Sequence, residues 1–162
     1  MEEQEKKRDP RHEARRVALA TLFERAFHSI EPKESISRVL ELYEESNVDD
    51  ELLESIVEGV VGKKEEIDKV IAETAPAWPP EQINRVDLVA LRIGIWELLF
   101  AKETLPETKQ APPKVAIDEA IELSKEFGGA ASGGFVNGVL GTVVERFIDG
   151  EKREDSDDEI ES

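Results

Sequence analysis

Apolar residues recur at three- and four-residue intervals along most of the chain, and the alternating β-branched runs that mark strands are almost absent. The pattern predicts an all-α fold. A first helix is expected from about Pro10 to His28, with Val17, Ala18, Leu19, Leu22, Phe23 and Ala26 as its apolar set and Glu31-Pro32 as its break. A second runs from about Lys33 to Ser46 on the stripe Ile36, Val39, Leu40 and Tyr43. Asp49 and Asp50 offer N-caps for a third, whose stripe of Leu52, Leu53, Ile56, Val57, Val60 and Val61 continues, bent at Gly62, through Ile67, Val70 and Ile71.

Ala75-Pro-Ala-Trp-Pro-Pro80 cannot continue a helix and divides the chain into an N-terminal half, residues 11–75, and a C-terminal half, residues 81–148. The fourth helix, about Ile83 to Ala101, is apolar nearly all round and therefore belongs at the centre of the fold. After a proline-containing loop, Pro113 and Gly128 bracket a fifth helix, the one at the first helical position and the other just past the end. Its stripe is Val115 or Ala116, then Ile117, Ala120, Ile121, Ser124 and Phe127. A flexible turn is expected over the glycine-rich residues 128–134, then a last helix from Phe135 to Ile148. Residues 1–10 read as a charged flexible arm and residues 149–162 as a disordered acidic tail.

Composition narrows the function classes. The 162 residues include no cysteine, which removes disulfides, thiolate metal sites and cysteine nucleophiles and fits a reducing cytoplasm. No apolar run is long enough for a membrane span, and the charged N-terminus has no signal-peptide core. The net charge of −17 argues against nucleic acid until its distribution is considered. From Asp149 onward eight residues are acidic and two basic, whereas Lys6, Lys7, Arg8, Arg11, Arg15 and Arg16 gather near the start. An acidic body with a basic patch at one end can dock a phosphate backbone at the patch.

The chemistry-bearing residues point to binding, not to catalysis. His12 and His28 are the two histidines, and no serine elbow, His-x-x-x-His or Glu-x-x-His pair is present, so neither a catalytic constellation nor a metal or cofactor site is expected. Residues 128–134 lack the Lys-Ser/Thr pair and preceding strand of a phosphate loop, but they can present a helix N-terminus to a phosphate or carboxylate. Arg11 and Arg15 are one turn apart, with Arg8 and His12 close by, so a phosphate backbone could span them. The bland alternative is a solvated helix end. Likewise Phe135 and Asn137 form either a packed cap or a platform on which Phe135 stacks a base while Asn137 organises the turn.

Two segments carry a resemblance. Lys114 to Gly128 reads KVAIDEAIELSKEFG, and Ser132 to Leu140 reads SGGFVNGVL; together they resemble the C-terminal signature of the NusB family of transcription antitermination factors. The opening Arg11-His-Glu-Ala-Arg15 and the central segment Val86 to Leu98, VDLVALRIGIWEL, resemble the family in the same order. The resemblance implies two three-helix bundles. It also implies binding of boxA-type single-stranded RNA from rRNA leaders, together with NusE, the small-subunit ribosomal protein, and entry into the RNA polymerase elongation complex.

By position, Arg11, His12 and Arg15 match the family's basic RNA contacts and Phe135 its aromatic one, while Phe23 and Asp87 fall near the surface that meets the ribosomal protein. Gly134 and Ala131 stand where the family commonly has a lysine and an acidic residue, which predicts weaker RNA binding or greater dependence on the protein partner. Two other readings keep the fold. One is a relative of the NusB-like domain attached to rRNA methyltransferases; the other is a helical interaction module that has lost RNA binding and forms a homodimer.

Overall fold

The computed structural model describes residues 9–26, 31–42 and 47–150. Among them the chain forms seven α-helices and no strand. The first three are α1 (Pro10–Arg25), α2 (Pro32–Leu42) and α3 (Asp50–Gly62), which pack on one another. Two of these starts are set by their caps. Asp9 accepts from the Arg11 amide at 2.9 Å ahead of Pro10, and Asp49 accepts from the Leu52 amide at 3.1 Å. The ends expected for the first two helices, near His28 and Ser46, lie outside the described residues.

The long third helix expected through Ile71 is two helices. At Lys63 the backbone leaves the helical region (φ −108°, ψ 15°), and α4 (Lys64–Thr74) restarts at once. The apolar stripe runs through the break because Ile67, Val70 and Ile71 enter the same core as Leu52, Leu53 and Ile56. After the proline segment, a 3-10 turn at Pro80–Gln82 leads to α5 (Arg85–Leu99), capped by the Asn84 side chain on the Val86 amide at 2.9 Å. As its all-round apolarity predicts, α5 touches α1, α3, α4 and both later helices.

Two further 3-10 turns shape the connecting loop. It is fastened to the starts of α1 and α3 where Lys109 Nζ meets Asp49 Oδ2 at 2.6 Å and the Arg11 guanidinium donates to the Thr108 carbonyl at 2.9 Å.

Helix α6 (Pro113–Phe127) occupies the span its proline and glycine predict. Of Val115 and Ala116, Ala116 is buried and Val115 exposed; Leu123, fully buried, completes the stripe. The turn that follows is shorter than expected, because α7 (Ser132–Val143) begins three residues before Phe135 and absorbs Gly133 and Gly134. A Cβ on Gly133 would meet Lys125 Cε at 2.6 Å, so the glycine lets the start of α7 close on α6. Gly129 alone carries the left-handed backbone of the turn (φ 137°). The last turns, Val144–Asp149, widen into a π-helix. One apolar core runs from Ala14 in α1 to Val143 in α7 without a gap between the earlier and later helices.

Candidate nucleic-acid interface

The start of α1 lies along α6 in the same direction. His12 Nδ1 is 2.8 Å from Glu119 Oε2, and one turn on, Arg16 Nε donates to Glu126 Oε1 at 2.8 Å with its guanidinium 5.9 Å from the centre of the Phe127 ring. The expected face spanning Arg11, His12 and Arg15 does not exist as a solvent-facing unit. Arg11 is exposed, whereas His12 and Arg15 are 5% and 3% exposed. Arg15 turns inward to α5, donating from Nε to Glu97 Oε2 at 3.0 Å and from Nη2 to Oε1 at 2.8 Å. Burial pushes the Arg15 pKa down, but the charge and hydrogen bonds of Glu97, with help from Glu119 and Asp9, outweigh it and leave the value raised. Arg15 therefore stays charged. Arg8 lies outside the described residues.

Following this strip past Phe127 leads to the turn between α6 and α7 and to a cavity of about 360 Å³. Trp78, Ile83, Asp87, Ala131, Ser132 and Phe135 are among its walls. Trp78, held in the proline segment, is 53% exposed, and Phe135 is half-buried. Asp87, in the first turn of α5, is 8% exposed, and its Oδ1 is buried with no hydrogen-bond partner among the described residues. A buried carboxylate oxygen without a donor is rare and costly, and it marks a place where an N–H group would be stabilising. Two aromatic rings, an open acceptor and the amides at the start of α7 are the parts from which a planar, amine-bearing ring can be held.

The comparisons with known proteins agree with this architecture. The model of the NusB family matches residues 12–145. The chain belongs to the NusB family. It is 39% identical over 137 residues to the transcription antitermination protein NusB of Roseiflexus castenholzii, covering 85% of this chain and 93% of that one. It is 42% identical over 142 residues to the NusB of Chloroflexus aggregans, covering 85% and 89%. Among solved structures, T. maritima NusB superposes with a TM-score of 0.72 at 30% identity over 91% of this chain and 99% of the other. A crystal structure of the antitermination factors NusB and NusE in complex with dsRNA gives 0.71 at 28% identity, over 84% and 96%. The family is one of transcription antitermination factors, not of enzymes. Among the described residues, no helix is long and apolar enough to cross a membrane.

Within this NusB-family fold the anticipated residues do not form one site. Arg11 marks the strip along α1; Phe135 and Asp87 share the cavity, although the resemblance put them on different surfaces; Phe23 is half-buried in the last turns of α1. Asn137 is exposed on α7, two residues beyond Phe135. Trp78, in the cavity wall, is not among the anticipated residues, because its segment reads as a helix break and nothing more. An aromatic residue among prolines, outside every apolar stripe, was the available signal.

Proposed function

We propose that this chain binds boxA-type single-stranded RNA jointly with NusE, the small-subunit ribosomal protein, and in that complex joins the RNA polymerase elongation complex. The cavity at the α6–α7 turn carries the reading. An unstacked base fits between Trp78 and Phe135, and its amino group supplies the donor that Asp87 Oδ1 lacks. The backbone then follows the strip toward Arg11 and the preceding Arg8, with Asn137 at the edge of the cavity. Phe23, on the flank of α1, belongs to the surface for the ribosomal protein. The relative solved with NusE and RNA supports this assignment of partners. Arg15 and His12 act from beneath the surface, Arg15 by tying α1 to α5 and His12 by tying α1 to α6.

The test is binding of labelled boxA-like RNA, single-stranded and as a duplex, with and without the ribosomal protein. The reading expects preference for the single strand, stronger binding with the partner, and a loss of roughly five- to 150-fold for Phe135→Ala and for Trp78→Ala, from about 1–3 kcal/mol per stacked base. Undiminished binding in both variants would remove the cavity from the interface. Partner binding without any RNA binding would leave a protein-interaction module. Co-elution of the chain with a paused polymerase, dependent on the RNA, tests the last step.

A further inference from the structure

We propose that His12, Glu119 and Glu122 form a site for one divalent transition-metal ion of the zinc type. One nitrogen and two carboxylate oxygens from these side chains lie within 4.8 Å of one another. They converge from two rigid elements, the histidine from α1 and the two glutamates from successive turns of α6. The neighbouring Arg16–Glu126 pair fixes the register of the two helices. His12 is 5% exposed and its Nδ1 is directed at the Glu119 carboxylate, so the imidazole is already placed and the ordering of that ligand is complete before an ion arrives.

Zinc with ligand bonds of about 2.0–2.2 Å sets its donor atoms roughly 3.3 Å apart. His12 Nδ1 and Glu119 Oε2, now 2.8 Å apart, need to open by about half an ångström, and Glu122 closes by turning its half-buried side chain. The fourth position falls to water.

The donor set selects the class of ion. An imidazole with two carboxylates suits zinc, cobalt or manganese; calcium and magnesium prefer oxygen throughout, and soft ions want thiolates. Cations nearby oppose the ion. Arg15 lies close enough to Glu119 to feel its charge, but its own is answered by Glu97. The inference does not rest on RNA binding, although its ligands lie on the strip that the RNA backbone is proposed to follow. If it holds, the ion is a clamp between α1 and α6, binding the folded chain and raising its unfolding temperature.

The full chain, stripped with a chelator and titrated with zinc chloride near pH 7.5, should take up one equivalent. Cobalt(II) should give the visible band of a low-symmetry site. Zinc should shift the ring resonances of His12 while leaving those of His28 in place. His12→Gln and Glu122→Gln should each weaken zinc at least about tenfold. Glu122→Gln alters a half-buried side chain, and it carries the test should His12→Gln prove unfolded by circular dichroism. No uptake at millimolar zinc would overturn the proposal. So would uptake that leaves His12 unshifted and survives Glu122→Gln, which would place the ion on the acidic C-terminus.

Discussion

With side chains 4% and 2% exposed, Arg15 and Glu97 are held out of water, each supplying the charge the other needs. Such a pair adds little net stability, because desolvation offsets most of its attraction, but removing one partner strands the other. Arg15→Ala is therefore expected to lower stability by about 3–5 kcal/mol, a fall in Tm on the order of 10 °C for a chain of this size. Arg15→Met combined with Glu97→Leu should recover most of the loss, and thermal unfolding by circular dichroism decides both. An unchanged Tm for Arg15→Ala would mean that the pair is solvated. The spacing of Arg11 and Arg15 was legible as one helical turn, but which of them faces water was not. The answer lies 82 residues away for Arg15 and 107 for His12, in glutamates on α5 and α6 that the sequence offers as ordinary members of an acidic surface.

At the scale of elements, the best-read features are those written locally. The proline and glycine around α6 and the Asp49 cap of α3 are chemical statements about a few neighbouring residues, and they hold. The break at Lys63 and the early start of α7 depend on which core the apolar stripe enters and on how closely α7 approaches Lys125, and neither is local. One helix crossing has a sharp requirement. A Cβ on Gly59 of α3 would fall onto the indole of Trp96 of α5, within 2.8 Å of Cζ2 and closer still to Nε1 and Cε2. Since Trp96 is 1% exposed and has nowhere to move, Gly59→Ala should cost about 1–3 kcal/mol despite its better helix propensity. A raised Tm would show that the helices can part without loss. Asp49 joins α3 to the loop before α6. Burial raises its pKa, but the hydrogen bond from Lys109, the Leu52 amide and the charges of Lys109 and Arg11 lower it further, so the net shift is downward. A carboxylate lowered in the folded state stabilises the fold above its unfolded pKa, and that contribution is lost as pH falls through the folded one. Lys109→Met should therefore be less stable than the parent at neutral pH. The gap should close in acid, below about pH 4, as followed by unfolding at a series of pH values. A gap constant across that range would separate Lys109 from Asp49.

For the whole molecule the governing contrast is a net charge of −17 against the few cations gathered near the start of the chain. An acidic body repels RNA over a Debye length of about 10 Å in 0.1 M salt, so the proposed binding calls for few phosphate contacts and leans more on the aromatic cavity. If Arg8 and Arg11 each meet a phosphate, the logarithm of the RNA binding constant should fall with the logarithm of salt with a slope of only about −1 to −2, at some 0.7 per contact for a single strand. Three variants then separate by kind of contact. Arg11→Ala should flatten the slope by about 0.7. Phe135→Ala should lower affinity at every salt concentration and leave the slope alone, because stacking releases no counterion. The Arg15→Met, Glu97→Leu pair should leave the slope unchanged, because the guanidinium it removes is already neutralised inside the fold. Fluorescence anisotropy of labelled RNA across a salt series measures all three with the ribosomal protein present at a fixed saturating concentration. A slope that flattens in the Arg15 pair as much as in Arg11→Ala would mean that RNA draws Arg15 out of its pair with Glu97. The interface would then be assembled on binding, not preformed along α1.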